Sequence, residues 1–336
     1  MAENGFVTYD VHGHYLPGAA MELMGDGPVV VTGGHGSDSI AVNGMPVGAT
    51  IQQLSSVEYA LDAMSAAGLD HRVLTPPPFT YRYWADPETG LRLCRLINDS
   101  IAEVAAAHPD RFSGLATVPL QDPELAIGEL KRGMSELGLL GLGVGTNVDG
   151  RLLSDQGLRG FFAEVMRMSA PVLIHPDFVP SPRYSDYYLV NCIGMPVETG
   201  TTVANMMLTG MLEDLPDLRL CFLHGGGVAP YLMGRVSHSW NARPDTSRDS
   251  TLPPEDQLES IYWDTLTHSP QGLGFLVGLF GAEHVVVGTD APFDMEDSNP
   301  LDTLNRAPGL TEEDRHQIRS VTPLRWLHGP GSDHNQ

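Results

Sequence analysis

"VTYDVHGHYLP", residues 7–17, decides how the rest of this chain is read. A short apolar run is followed by two histidines, His12 and His14, one residue apart. Side chains two residues apart on a strand point to the same side, so an H-x-H pair at a strand end converges on one point. A shared metal ion requires that convergence. Two histidines that merely share a strand face show the same spacing, so any further ligands have to be found elsewhere in the chain.

Composition narrows the search. The 336 residues are 42% hydrophobic and 18% charged, as in a soluble globular protein, and are enough for one large α/β barrel or two ordinary domains. No apolar run approaches the roughly 20 residues of a membrane span. The start "MAENGFVTYD" lacks the basic and apolar regions of a secretory signal, which predicts a cytoplasmic protein. Cys94, Cys192 and Cys221 are odd in number and lack C-x-x-C spacing, so they read as free, mostly buried thiols of a reducing compartment. A net charge of -23 argues against nucleic acid or an anionic membrane as partner. It also means that an anionic substrate needs local positive charge, from a metal or an arginine.

Apolar, β-branched runs alternate with helical patterns along the chain, the signature of βα units around a parallel sheet. The runs are Phe6–Asp10, His71–Pro77, Arg111–Leu120, Leu139–Thr146, Pro171–Pro176, Leu218–Gly225, Ile261–Thr265 and His284–Asp290. Helical patterns cover Val57–Ala67, Leu91–Ala107 and Val197–Leu212, with others at "PELAIGELKRGMSEL", "LRGFFAEVMRMS" and "PQGLGFLVGLFG". Eight such strands predict a (β/α)8 TIM barrel over residues 1–330 as one domain. A doubly wound open sheet is the runner-up, but its usual Gly-rich phosphate turn is replaced here by H-x-H. Residues 18–50 form a Gly-rich insertion after the first strand, read as a small hairpin over the mouth or as a plain loop. The tail, 331–336, reads as disordered.

In a parallel barrel the strand C-termini share one face, and the active site lies there. Strand 1 ends with His12 and His14, strand 5 with His175, strand 6 with His224 and strand 8 with Asp290. Scattered in sequence, all five meet in one pocket if the barrel closes. Three imidazoles and a carboxylate suit a divalent ion such as Zn²⁺, leaving one histidine for acid–base work. His71, His108, His238, His284 and His328 fall elsewhere and read as structural or solvated. His268, after strand 7, is either a supporting group or a substrate contact. His35 reaches the site only if the insertion folds inward.

With these residues in place, the chain resembles the decarboxylase-type branch of the amidohydrolase superfamily. The stretches that carry this are "VHGHYLP", "YWADPETGLRLCRLIND" (83–99), "RFSGLATVPLQDPELAIGEL" (111–130), "GMPVETGTTVANMMLTGMLEDLPDLRLCFLHGGG" (194–227), "GRVSHSWNARPD" (234–245) and "VVVGTDAPF" (285–293). The resemblance implies His12, His14, His175 and Asp290 as metal ligands, with Zn²⁺ as the expected ion and Mn²⁺ as a substitute. It implies His224, assisted by Asp290, as the group that moves the proton. It implies that Arg243 crosses the interface of a homodimer to a substrate carboxylate. The implied activity is non-oxidative decarboxylation of a small aromatic or muconate-semialdehyde-like carboxylic acid. The alternative is a metal-dependent hydrolase or hydratase acting on an amide, lactone or C–C bond of a small cyclic substrate. Binuclear relatives carry a carboxylated lysine after strand 4; "GLGVGTNV" has none, and the chain's single lysine, Lys131, lies on the preceding helix, so the site is expected to be mononuclear. The pocket departs from the family pattern at three places. A family arginine aligns with Gly48, the family's H-P-W-D is here His175-Pro176-Asp177-Phe178, and a family tryptophan aligns with Asn191. Asp177 and Asn191 are therefore candidate substrate contacts, and the substrate is expected to differ from that of the nearest family members.

Overall fold

The computed structural model describes residues 6–24, 27–34, 37–177 and 181–330. Eight parallel strands follow in chain order: β1 (Tyr9–His14), β2 (His71–Thr75), β3 (Phe112–Gly114), β4 (Leu142–Gly145), β5 (Pro171–His175), β6 (Arg219–Phe222), β7 (Ile261–Asp264) and β8 (Val285–Val286). Ladders join β1–β2–β3 and β4–β5–β6–β7–β8. Single bridges from Ala116 to Leu142 and from Gly13 to Ala291 connect the two sets. Val11 N donates to Val287 O (2.9 Å) and Asp290 N to His12 O (2.8 Å), closing the seam between last and first strands. The sheet is thus a closed eight-stranded barrel, as the sequence pattern predicts.

Around it run α1 (Val57–Ala67), α2 (Pro87–Ala107), α3 (Pro123–Ser135), α4 (Gln156–Arg167), α5 (Met195–Leu208), α6 (Ala229–Ala242), α7 (Pro270–Phe280) and a closing helix α8 (Thr322–His328). Three helices start by one device: Asp86, Asp122 and Ser269 accept backbone N–H groups of the first turn, and proline follows at the first helical position. That start sets α2 at Pro87, a turn earlier than its apolar periodicity indicates. Helix α5 ends at Leu208, short of the expected Leu212, because Gly210 turns left-handed (φ 68°) and Met211–Asp214 form a separate turn. Strand β3 pairs over three residues rather than the whole 111–120 run. Beyond it the Asn98 side chain takes the place of a strand neighbour, bonding both Thr117 N (2.8 Å) and Thr117 O (2.9 Å).

Helices cover the outside of the barrel, so strands such as β5 are buried at every residue. A second buried cluster collects Tyr9, Val11, Val73, Leu173, Cys221, Tyr262 and Val286 from successive strands. Trp326 and Leu327 of α8 join it, and Trp326 Nε1 donates to Arg219 O at the start of β6. This apolar plug fills the lower barrel, each fully buried large side chain contributing roughly 1.5–3 kcal/mol. On β1 the plug uses Tyr9 and Val11, of opposite parity to His12 and His14. The β1–β2 register shifts between Asp10 and Gly13. That bulge lets odd-numbered residues fill the barrel below and even-numbered histidines point into its mouth. Parity alone, the basis of the sequence argument, would have turned one of those pairs outward.

The insertion contains a three-stranded antiparallel sheet of Val31–Gly34, Ser37–Val42 and Met45–Pro46. Its residues Val42, Met45, Pro46 and Val47 line the mouth. His35 and the tail 331–336 lie outside the described residues. Gly48 sits at φ +68°, and a Cβ there would fall 1.9 Å from the Asp294 carboxyl carbon. A side chain at this position would be strained by the positive φ and would require the Asp294 carboxylate to move. None of the described helices is long and apolar enough to cross a membrane. Cys94 and Cys221 are buried; Cys192 is exposed.

Candidate metal centre

All five strand-end groups meet. His14 Nε2 lies 2.9 Å from Asp290 Oδ1, His12 Nε2 3.2 Å and His175 Nε2 4.0 Å from the same oxygen. His224 Nε2 faces the other oxygen, Oδ2, at 3.5 Å. Ligand atoms of His12, His175, His224 and Asp290 all lie within 4.8 Å of one another. His14 joins the group through Asp290 Oδ1.

What lies behind each ring separates the four imidazoles. His12 Nδ1 bonds Asp264 Oδ2 (2.8 Å), His14 Nδ1 bonds Pro76 O (3.3 Å) and His175 Nδ1 bonds Pro176 O (2.8 Å). A carbonyl or a carboxylate can only accept, so each Nδ1 carries a proton and each Nε2 points inward, where it offers a lone pair once it is unprotonated. Metal-binding histidines are oriented in this way. His224 follows a different plan. It sits in a left-handed turn after β6 (φ 56°) and is part-exposed, with 17% of its side chain accessible.

The backbone beneath is tightly specified. Asp264 Oδ1 accepts from Gly225 N (2.7 Å) and Leu266 N (3.2 Å), which fixes the carboxylate that orients His12. Gly288 leaves room for both, since a Cβ there would lie 2.8 Å from Asp264 Oδ2 and 2.9 Å from His12 Cβ. Asp10 accepts from Arg72 Nε (2.7 Å), His12 N (3.1 Å) and Thr289 Oγ1 (2.7 Å), tying β1 and β2 to the segment that presents Asp290. Neither Asp264 nor Asp10 stands out in the sequence reading. Asp264 ends β7 in "IYWDT", so the strand-end rule that finds Asp290 also reaches it.

The donor set fits a divalent ion. His12 Nε2 is buried and makes no hydrogen bond of good geometry, and the ligand atoms of His12, His175, His224 and Asp290 lie within 4.8 Å of one another, with His14 Nε2 2.9 Å from Asp290 Oδ1 beside them. Burial drives the His175 imidazole down to about 3 and lowers that of His14. Burial also opposes charge on His12, but Asp290 and Asp264 outweigh it and hold this imidazole up at about 10. Burial would raise Asp290, yet the histidines, His12 foremost, keep it well below the usual carboxylate range. The metal-free cluster therefore holds a proton on His12 at neutral pH, and an ion must displace it. Loading at pH 7 is expected to release about one proton, and affinity to fall about tenfold per unit as pH drops from 9 to 7. Titration calorimetry in buffers of different ionisation heat reads this directly; zero proton release would contradict it.

The cluster floors a cavity of about 370 Å³ with walls that include Phe79, Tyr83, Trp84, Tyr188 and Phe293. Asp177 and Asn191 both line it. Arg243 does not: it ends α6 with a 64% exposed side chain paired to Asp245 at 2.8 Å. His268 is exposed and borders a small recess behind His224, shared with Cys192 and Met295. Arg82, absent from the sequence reading, lines the cavity wall.

A closed barrel whose first strand ends in H-x-H, with its remaining polar groups drawn from strands 5, 6 and 8, defines a class. The profile of the amidohydrolase family matches residues 9–329, and the chain belongs to that family. Among curated relatives, 2-amino-3-carboxymuconate-6-semialdehyde decarboxylase of Dictyostelium discoideum is 36% identical over 261 residues, covering 77% of this chain and 73% of the relative. Gamma-resorcylate decarboxylase of Rhizobium sp. is 28% identical, covering 79% and 85%. The solved structure of 5-carboxyvanillate decarboxylase from Novosphingobium aromaticivorans, complexed with manganese and 4-hydroxy-3-methoxy-5-nitrobenzoic acid, has the same fold (TM-score 0.82, 19% identity, 97% of each chain).

Proposed function

We propose that the protein is a metal-dependent, non-oxidative decarboxylase of a small, planar aromatic or muconate-semialdehyde-like acid. The observation that carries this reading is the division of labour at Asp290. One oxygen faces three imidazoles whose Nδ1 atoms are anchored from behind, and the other faces His224. His12, His14, His175 and Asp290 are the ligands in this reading, and the aromatic-walled cavity above them takes a flat substrate. The relatives named as decarboxylases support the reaction class.

A divalent ion held there supplies Lewis acidity toward substrate oxygens. His224 delivers a proton from Nε2 to the carbon that bears the carboxylate. The C–C bond to that carboxylate then breaks, its electron pair returns to the conjugated system, and CO₂ leaves, so one proton is consumed for each CO₂ formed. Asp290 Oδ2, 3.5 Å from His224 Nε2, orients the ring for this transfer. His224 recovers its proton through its exposed edge. The nitrogen-rich donor set favours zinc, with manganese, which prefers oxygen donors, as a working substitute. One ion is assigned, because Lys131 is turned away on α3 and paired with Glu164 at 2.8 Å. A cytoplasmic homodimer, in which Arg243 reaches the partner's cavity, completes the proposal.

Product analysis tests it. Across a panel of hydroxybenzoic and muconate-semialdehyde acids, the metal-loaded protein is expected to release one CO₂ per substrate consumed, with no solvent oxygen in the organic product. Uptake of ¹⁸O from labelled water without CO₂ would mark a hydrolase or hydratase instead.

A further inference from the structure

The stretch "DYYLVNCIG", residues 186–194, leads from the end of β5 into α5. Left-handed backbone is rare for a bulky residue other than glycine, and it persists where the surrounding structure over-determines it, often at functional sites. Here two such residues follow one another, Tyr187 at φ 56° and Tyr188 at φ 55°. The turn sends the two rings to different surroundings. Tyr187 is 92% exposed, whereas Tyr188 is part-buried and lines the cavity above the metal centre.

The backbone holds that turn in place. Leu189 N donates to Asp186 O at 3.1 Å, and Asn191 N and Cys192 N both donate to Tyr188 O at 3.0 Å. These bonds open the wide turn Val190–Gly194, on which α5 is built directly. The Tyr188 hydroxyl itself makes no hydrogen bond among the described residues. Burial, with the charges of Asp294 and Asp290 added to it, pushes the phenol up to about 12. The hydroxyl therefore keeps its proton at neutral pH and has one O–H to donate. The same carboxylates decide what it donates to. Asp149 and Asp177 also line the cavity, and the chain carries -23 overall, so a further negative group at this wall is repelled. A neutral oxygen takes the hydrogen bond without that repulsion.

We infer that Tyr188 is a specificity-determining residue: its hydroxyl donates to a neutral oxygen substituent of the substrate, a hydroxyl, alkoxy or carbonyl oxygen, while the acid group lies at the metal centre. This rests on the proposed metal-dependent reading of the same cavity.

The test uses zinc-loaded protein and binding by calorimetry, with the 2-, 3- and 4-methoxybenzoates set against the ethylbenzoates of the same ring position. Methoxy and ethyl groups are close in size, but only the methoxy oxygen accepts a hydrogen bond. At one ring position at least, the methoxybenzoate is expected to bind the wild type about fivefold or more tighter than its ethyl partner, the size of one net hydrogen bond. Tyr188→Phe keeps the ring and removes only the hydroxyl. It is expected to bring that ratio to roughly twofold or less with zinc content unchanged. A wild type without the preference at any position overturns the inference before any variant is made. A preference that survives Tyr188→Phe also overturns it, because another group then holds the oxygen. Failure of the metal reading looks different: benzoate would then bind the wild type equally with zinc removed.

Discussion

Replacement of His224 by asparagine is expected to lower kcat by about 10²–10⁴ while zinc content stays at the wild-type level. The range is that of a positioned general acid–base group, equivalent to about 2.7–5.4 kcal/mol of barrier. The reason lies in how the four imidazoles are held. Rings 12, 14 and 175 are anchored at Nδ1, whereas His224 stands on the far oxygen of Asp290 in a part-exposed turn. Asparagine keeps a polar group of similar reach but cannot exchange a proton. KM is expected to change little, because His224 acts on the reacting carbon rather than on the ground-state complex. Loss of zinc together with loss of turnover would instead make His224 a ligand, a role that its closeness to His12, His175 and Asp290 also allows.

Substitution of a proposed ligand is expected to have the larger effect. His14→Ala should leave the ion to be lost on desalting and turnover below detection. Thermal unfolding gives an independent reading. An ion at a thousand times its Kd stabilises the fold by about 4 kcal/mol. Zinc should therefore raise the Tm of the wild type by several degrees and leave that of the variant unchanged. Asp264→Asn is the graded case. It weakens the hold on His12 Nδ1 without removing a ligand, and metal affinity should fall about 10–100-fold. Full zinc content and wild-type turnover in His14→Ala would remove His14 from the centre.

The closed barrel and the five converging groups are legible in the sequence because both follow from one repeated pattern. Apolar runs alternate with helical ones, and the polar residues that interrupt the runs fall at strand ends. Asp264 obeys the same rule, but one aspartate ending "IYWDT" looks like any strand-terminal polar residue until His12 is seen to lean on it. The bulge in β1 is not legible, since nothing in "YDVHGH" shows where parity changes; closure of the seam with β8 decides that. Arg82 is hidden for a related reason. Its place in the cavity depends on a left-handed turn that no residue type announces, and "TYRYW" reads as an ordinary loop. Gly48 is the converse: the resemblance implies an arginine there, and only the structure shows the Asp294 carboxylate lying against that glycine.

The central claim is a single ion on four named atoms with His224 left outside. Anomalous diffraction from crystals of the zinc-loaded protein, recorded on both sides of the zinc edge, tests it most directly. One peak is expected, about 2.0–2.2 Å from Nε2 of His12, His14 and His175 and from an Asp290 oxygen, with His224 Nε2 beyond bonding distance. A peak bonded to His224, two peaks, or none at this cluster would contradict it.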